Sequence, residues 1–160
     1  MAHIVRQRRL KAKTDYKSRL SLLKSGKPRL VVRKTNRYVI VQLVESNIAQ
    51  DRVLLTVTSK SLISKGWPSE KSGSLKSMAA CYLTGLAFGK LALSKIKNNE
   101  IVLDIGMQRN IQKSRIYAVL GGVVDAGLKI PHNQEALPSL ESIQKNKNIT
   151  GIFDKLKDKM

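Results

Sequence analysis

The sequence predicts an α/β protein in which helices cover a mixed β-sheet and a basic arm precedes the sheet. Short apolar, β-branched runs recur at residues 29–34, 37–45 and 52–58, and turn-forming residues separate them. From residue 74 the apolar residues follow a helical period, which gives way to a strand-like run at 101–106 and then resumes up to residue 126. This order predicts an antiparallel three-strand meander followed by α-β-α, similar to the ribonuclease H-like architecture.

The composition indicates a folded domain with a polyanionic partner. The chain has 160 residues, of which 42% are hydrophobic, so it fits one domain with a buried core. It carries 30 lysines and arginines against 11 acids, a formal net charge of +19. Because such a charge repels itself in a compact state, we expect a nucleic acid as partner, with an anionic membrane surface as second candidate. No signal-peptide core opens the sequence and no stretch approaches a membrane span, which favours a cytoplasmic protein.

Residues 1–28 are predicted to form a basic arm that ends in a short helix. The stretch up to residue 13 has few large apolar side chains and therefore no core of its own. Thr14 or Asp15 is a suitable N-cap for a helix that runs to residue 24. Gly26 and Pro28 then end this helix.

The first two predicted strands form a hairpin with cations beside its turn. Arg29–Lys34 and residues 37–45 flank Thr35 and Asn36, a two-residue connection in which asparagine tolerates positive φ. The third strand, 52–58, follows the turn-rich sequence SNIAQD. Cations stand on both arms of the hairpin, where folding requires none.

The second half of the chain predicts two helices around a fourth strand. Residues 59–73 predict a long loop, and the helix that follows carries its apolar residues along one stripe. The stripe consists of Leu75, Ala79, Tyr82, Leu86, Gly89, Leu93 and Ile96. Residues 101–106 predict a buried strand. Ser114 is a suitable cap for a second helix through Ala126, and Gly127 is a good residue to end it.

These patterns divide the chain into an arm at 1–28, an α/β domain at 29–130 and a basic C-terminal extension at 131–160. The extension carries a few apolar residues among lysines, which predict short amphipathic helices: Ile149, Ile152, Phe153 and Leu156. Gly121 and Gly122 lie inside a helical pattern rather than after a strand, so they indicate close helix–sheet packing and not a phosphate loop.

The sequence offers no pattern for a metal centre, a nucleophile or a cofactor. His3 and His132 lie far apart in the sequence, and Cys81 has no cysteine partner. A structural zinc site and a disulfide framework are therefore not predicted. Cys81 is expected to be a small, partly buried side chain, and a lone cysteine suits a reducing cytosol.

The carboxylates raise the alternative of a two-metal nuclease. Glu45, Asp104 and Asp125 fall on or near predicted elements, as the acids of such an enzyme do. The first strand, however, offers Arg33 and Lys34, and these cations would repel a metal ion. A two-metal nuclease is therefore not favoured, and we predict that Asp104 and Asp125 are structural and cap a turn or pair with a cation.

The cations between residues 6 and 37 call for a functional interpretation. Single surface cations are usually solvated, but Asp15 is the only acid available in this segment. The cluster therefore predicts contacts to an external polyanion.

Four stretches carry a resemblance to one protein family. The first is KTDYKSRLSLLKSGKPRLVVRKTNRYVIVQLV at residues 13–44. Three others agree in order: GWP at 66–68, AACYLTGLAFGKLAL at 79–93 and LDIGMQRNIQKSRIYAVLGGVVDAGLKIPH at 103–132. Over about the first 135 residues the chain resembles the universal large-subunit ribosomal protein eighteen family in its archaeal and eukaryotic form, and the absence of long extensions favours an archaeal source.

The resemblance implies a non-catalytic protein that binds 5S rRNA and helps to attach it to the large rRNA in the central protuberance. The implied partners are 5S rRNA, the large-subunit rRNA and neighbouring ribosomal proteins, with the chain a monomer within the cytoplasmic ribosome. The residues predicted to contact RNA are Arg6, Arg8, Arg9, Lys11, Lys13, Tyr16, Arg19, Lys27, Arg29, Arg33, Lys34, Asn36, Arg37, Arg109 and Lys113. Of these, Arg33 and Arg37 are expected to bracket the hairpin turn and to bind phosphate as a pair.

Two other classes of function remain open at this point. One is the metal nuclease, which Mg²⁺-dependent cleavage of RNA would reveal. The other is a general basic protein that coats DNA, which a competition between duplex DNA and 5S rRNA would reveal.

Overall fold

The core of the fold is a mixed sheet of four strands. The structure is a computed structural model that describes residues 7–11, 13–48, 50–96, 100–144 and 147–159. Its strands are β1 Arg29–Lys34, β2 Val39–Asn47, β3 Gln50–Thr58 and β4 Val102–Asp104. They lie in the order β3-β2-β1-β4, with β2 antiparallel to both β1 and β3, and β4 parallel to β1. The predicted α/β class with a mixed sheet is thus confirmed.

Seven α-helices accompany these strands in the described ranges. They are α1 Gln7–Leu10, α2 Tyr16–Lys24, α3 Ser61–Lys65, α4 Met78–Leu93, α5 Arg115–Asp125, α6 Leu140–Gln144 and α7 Lys147–Lys159. The Asp15 carboxylate accepts hydrogen bonds from the backbone N–H groups of Lys17 and Ser18, which confirms Asp15 as the cap of α2. Ser114 and Ala126 flank α5, and Gly127 follows with φ 105°, as predicted.

The turn of the β1–β2 hairpin lies one residue later than predicted. The Thr35 N–H donates to the Tyr38 carbonyl at 2.9 Å, and the Tyr38 N–H donates to Thr35 Oγ1 at 3.0 Å. Asn36 and Arg37 therefore form the two-residue connection, and β2 begins only at Val39, opposite Lys34. Asn36 does not adopt positive φ. The threonine side chain closes the turn, so no left-handed asparagine is needed.

The segment predicted as a long loop contains two helical turns. Besides α3, residues Ser69–Ser74 form a 3₁₀ helix. Leu62 and Trp67 are 0% and 1% exposed, so this segment contributes to the core. Burial of a leucine and a tryptophan outweighs the turn-forming Gly66 and Pro68, on which the prediction rested.

Helix α4 is buried on nearly all sides rather than along one stripe. It contacts β2, β3, α5 and α7. A Cβ atom at Gly85 would lie 2.1 Å from the Val119 carbonyl oxygen, and one at Gly122 would lie 2.2 Å from the Tyr82 carbonyl oxygen. Gly122 therefore permits helix–helix packing of α5 on α4, and the predicted helix–sheet packing is wrong for this residue.

The C-terminal helices add to the same core. Phe153 and Leu156 on α7 are 1% and 2% exposed, and the Phe153 ring lies 5.5 Å from the Tyr82 ring. The N-terminal helices differ from them, because α2 has no buried residue. Helix α2 thus has little apolar anchorage, while the last helix is part of the core.

Candidate nucleic-acid interface

A basic cleft lies between α2 and the loop that follows β4. The cavity has a volume of about 810 Å³, and Leu22, Leu103 and Met107 supply apolar parts of its wall. Four of the predicted RNA-contacting cations line it: Arg8, Lys13, Arg19 and Arg33. The fold therefore brings cations of the N-terminal segment together with one from the hairpin. We call this site the α2 cleft.

Beneath the α2 cleft, the buried Arg29 side chain joins a buried carboxylate, Asp104, to an exposed one, Asp51. Its Nη1 donates to Asp104 Oδ2 at 2.9 Å, and its Nη2 donates to Asp51 Oδ1 at 2.7 Å and to Ser46 Oγ at 3.0 Å. Arg29 is 2% exposed. The predicted contact of Arg29 with RNA stays a prediction, and in this structure two carboxylates hold its guanidinium below the surface.

Arg33 continues this ionic network toward solvent. Its Nη2 donates to Asp104 Oδ1 at 3.0 Å, and its Nη1 donates to the carbonyl oxygens of Val32 and Asp104, both at 2.9 Å. A Cβ atom at Gly106 would lie 2.9 Å from the Arg33 Cζ, and Gly106 has a φ of 60°, so glycine suits this position beside the guanidinium. The Arg33 guanidinium is thus held at Asp104 of β4, and its predicted pairing with Arg37 on a phosphate stays a prediction.

Asp51 connects the network to α2. Its Oδ2 accepts a hydrogen bond from Arg19 Nη2 at 2.9 Å. Burial alone would raise the pKa of the Asp51 carboxyl, but the hydrogen bonds from Ser46, Arg19 and Arg29 together outweigh burial and hold this pKa below its ordinary value. Cations and carboxylates therefore alternate from Arg19 to Arg33 through Asp51, Arg29 and Asp104.

Lys27 is a second predicted contact with an internal partner. Its Nζ lies 2.8 Å from Glu100 Oε2, and both side chains are about half exposed. The hydrogen bond from Lys27 holds the pKa of the Glu100 carboxyl below its ordinary value. An exposed pair of this kind contributes little to stability, so Lys27 can exchange its partner at low energetic cost.

Six of the predicted cations are exposed and form neither a salt bridge nor a side-chain hydrogen bond with any residue that the structure describes. They are Lys11, Lys13, Lys34, Arg37, Arg109 and Lys113, which we call the unpaired cations. Arg8 is also exposed, and its Nε donates to Thr14 Oγ1 at 2.9 Å. Tyr16 is half-buried and Asn36 is exposed. Arg6 lies outside the described residues, as does the side chain of Arg9.

Strand alternation sends the cations of β1 to opposite faces of the sheet. Arg33 lines the α2 cleft, whereas Lys34 lines a separate cavity beside the first turns of α4 and α5. Arg109 borders the same cavity as Lys34, together with Arg115, a cation that the sequence did not single out. Arg115 could have been recognised from the sequence, because it is the first residue of a predicted helix. A cation at that position is repelled by the helix dipole, which suggests an external anion.

The acids and the cysteine have structural roles. Asp104 accepts from Arg29 and Arg33, which confirms its predicted pairing with a cation. Asp125 Oδ2 instead accepts from the Tyr82 hydroxyl at 2.6 Å, so its partner is a tyrosine and not the predicted cation. Burial first, and then the hydrogen bond to Asp125, raise the pKa of Tyr82. Burial also raises the pKa of the Cys81 thiol to about 12, so this thiol is protonated and not a nucleophile.

The part of the chain that the structure describes shows neither a cluster of metal-ligating side chains nor a helix suited to span a membrane. No group of three or more histidines, cysteines and acids is placed to hold a metal ion there. Among the helices in those ranges, none has both the length and the apolar composition to span a bilayer.

Comparison with known proteins identifies the family. The family model described as ribosomal large subunit proteins 60S L5 and 50S L18 matches residues 3–102 and 97–133. Large ribosomal subunit protein uL18 of Korarchaeum cryptofilum is 42% identical over 152 residues, which cover 95% of this chain and 75% of that protein. The proteins of the same name from Methanothrix thermoacetophila and Methanococcoides burtonii are 46% and 40% identical, over 82% and 96% of this chain and 75% and 91% of theirs. The chain therefore belongs to the family of large-subunit ribosomal proteins that comprises 60S L5, 50S L18 and archaeal uL18.

Proposed function

We propose that this large-subunit ribosomal protein binds 5S rRNA and helps to attach it to the large rRNA in the central protuberance. Its family consists of structural components of the cytoplasmic ribosome, and the function proposed is accordingly non-catalytic. The observation that carries the RNA-binding proposal is the set of six unpaired cations, which meet no carboxylate in the described ranges. RNA phosphates are the partners that this charge lacks.

The arrangement suits the backbone of RNA better than its bases. Arginine pairs with phosphate in a bidentate manner, and A-form RNA is recognised mainly through phosphates, 2′-hydroxyls and shape. In the α2 cleft, Arg19 and Arg33 are already held by Asp51 and Asp104, so their guanidinium groups are fixed before RNA arrives. Fixed donors lose less conformational entropy on binding, which favours affinity.

The proposed contact set follows from these placements. The chief contacts are the unpaired cations with Arg8, and Arg6, Arg9, Tyr16 and Asn36 remain in the proposal. Arg19, Lys27 and Arg33 contribute from within their ion pairs, and Arg29 supports the others from below.

The finer description of the fold is also a proposal. We infer a ribonuclease H-like domain at 29–130 that binds RNA, a basic arm with a short helix at 1–28, and a C-terminal extension at 131–160. The parallel pairing of β4 with β1, after three antiparallel strands, supports this class. Phe153 and Leu156 attach the extension firmly to the domain.

A gel shift with labelled 5S rRNA tests the function. The full chain is expected to shift 5S rRNA in the presence of a large excess of tRNA, and duplex DNA is expected to compete poorly. Equal competition by tRNA or by duplex DNA would contradict the proposal and favour a general basic protein. Cleavage of the RNA by the wild type that depends on Mg²⁺ would contradict it in favour of a nuclease.

A further inference from the structure

Three cations surround a cavity on the face of the sheet opposite the α2 cleft. The cavity has a volume of about 620 Å³ and lies beside the first turns of α4 and α5. Lys34 of β1, Arg109 of the loop after β4, and Arg115 of α5 line it, together with Gln108 and Ser114. No carboxylate lines it among the described residues. We call it the helix-end cavity.

Without a bound anion, the positive charges around the helix-end cavity repel one another. Arg115 is the first residue of α5, where the helix dipole places partial positive charge. Neither α4 nor α5 has an acid in its first turn, and none of the three cations has a salt bridge within the described ranges. Positive groups of the side chains and of the backbone therefore converge on a space that lacks a compensating negative charge.

The walls of the helix-end cavity are held in place by hydrogen bonds. The Tyr117 hydroxyl donates to Asn110 Oδ1 at 2.6 Å, which ties the loop to α5. The Lys113 N–H donates to the Ala136 carbonyl at 2.8 Å, although Lys113 has a φ of 56°, a conformation that few non-glycine residues adopt. These bonds fix the loop that carries Arg109, so the site is formed before a ligand arrives.

One polar atom in the wall still lacks a partner. The Ser114 Oγ is buried and forms no hydrogen bond, although Ser114 occupies the cap position of α5. A buried hydroxyl without a partner is costly, and an oxyanion beside it would accept its hydrogen bond. The hydroxyl thus adds a donor to a site already rich in positive charge.

We propose that the helix-end cavity binds a backbone phosphate of RNA, with Arg109 and Arg115 as its main ligands, Lys34 as a further cation and Ser114 as a hydroxyl donor. This rests on the proposed function, since RNA supplies the phosphate. Lys34 and Arg33 point to opposite faces of β1, and Gln108 lines both the helix-end cavity and the α2 cleft, so the two sites adjoin at this residue.

The test compares two double variants of equal charge. Arg109→Gln with Arg115→Gln removes the main ligands, and Lys90→Gln with Lys155→Gln removes two exposed cations elsewhere. Lys90 lies twelve residues beyond Met78 along α4, roughly 18 Å from the cavity. Binding of the full chain to 5S rRNA is measured across a salt titration, and melting temperatures verify that each variant is folded.

The arginine double variant is expected to weaken binding about tenfold or more, because it removes charge-assisted hydrogen bonds to phosphate. The slope of log K against log salt should flatten by about 0.7–0.9 for the one phosphate released. The lysine double variant should keep both the affinity and the slope of the wild type. Ser114→Ala should weaken binding a few-fold without a change in slope, because it removes a hydroxyl and no charge.

The failures of the two proposals are distinguishable. If the wild type binds 5S rRNA and the arginine double variant matches it in both affinity and slope, the helix-end cavity is not a phosphate site and the proposed function stands. If both double variants weaken binding equally, only net charge matters, and the site is again contradicted. If the wild type binds no 5S rRNA, the proposed function fails, and the inference fails with it.

Discussion

Arg29 Nη1 lies 2.9 Å from Asp104 Oδ2, and both residues are nearly inaccessible to solvent, at 2% and 7% exposure. This pair joins two neighbouring parallel strands, β1 and β4, with side chains as well as with backbone hydrogen bonds. Removal of one member of a buried ion pair leaves the other charge uncompensated in a medium of low dielectric constant. The pair therefore fixes the short strand β4, and with it the loop that forms one wall of the α2 cleft.

The same network separates the cations into two classes. The Arg29 side chain is buried and paired with carboxylates, whereas Lys13, Arg37 and Arg109 are exposed and have no salt bridge in the described ranges. A positively charged chain needs some acids to fix its own geometry, and the eleven acids are too few to neutralise the rest. We therefore propose that RNA is bound chiefly by the cations that the fold leaves without carboxylates.

Asp104→Asn should destabilise the protein strongly. The substitution keeps the shape of the side chain but removes the charge that compensates Arg29 and supports Arg33, so the unfolding free energy should fall by about 3–5 kcal/mol. Urea denaturation followed by circular dichroism measures this difference. Glu100→Gln, which removes the exposed partner of Lys27, is the matched control and should change stability little. Equal effects of the two substitutions would contradict the structural role of Asp104.

Asp51 should make the stability depend on pH in the acid range. Its pKa in the folded protein lies below the ordinary value of 3.8, so its stabilising contribution is fully present above that value. As the pH falls through the lowered pKa, the carboxylate is protonated and the contribution disappears. The difference in unfolding free energy between the wild type and Asp51→Asn should thus be largest near neutral pH and shrink below about pH 4. A difference that stays constant from pH 7 to pH 2 would contradict the ion pairs of Asp51.

Two adjacent glycines of α5 should respond oppositely to alanine. A Cβ atom at Gly122 would lie 2.2 Å from the Tyr82 carbonyl oxygen, whereas one at Gly121 would meet nothing closer than 4.0 Å. Gly122→Ala should force α5 away from α4 and lower the unfolding free energy by about 1–3 kcal/mol or more. Gly121→Ala should instead raise it by up to about 1 kcal/mol, because alanine favours the helix. Thermal melts of the two variants measure the contrast, and a stable Gly122→Ala protein would contradict the packing of α4 on α5.

The sequence predicted the elements of the fold better than their contacts. Hydrophobic periodicity located β1, the region of β4 and helix α5, because each is a short continuous signal with a turn or cap at its end. The segment around Trp67 was misjudged since Gly66 and Pro68 are local signals, whereas the burial of Trp67 depends on distant residues. Local patterns do not contain that information.

The candidate site shows the same limit. The excess of cations indicated a polyanion, and Asp104 was correctly expected to be structural. The burial of Arg29 was not predictable, because it requires β4 on one side and Asp51 of β3 on the other. The pairing of β2 with β3 is irregular between Leu43 and Val44. The register that follows this irregularity places Ser46 opposite Asp51. An irregularity of this kind leaves no periodic trace in the sequence.

The most direct test of the central claim compares the unpaired cations with exposed cations outside the proposed contact set in binding to 5S rRNA. Lys13→Gln with Arg37→Gln removes two unpaired cations, and Lys90→Gln with Lys155→Gln removes the same charge from two exposed lysines that the proposal does not use. The first double variant should weaken binding and flatten the slope of log K against log salt by about 0.7–0.9 for each phosphate that is no longer bound. The second should stay close to the wild type in both quantities. Equal weakening in the two double variants would contradict the claim that the unpaired cations form the interface.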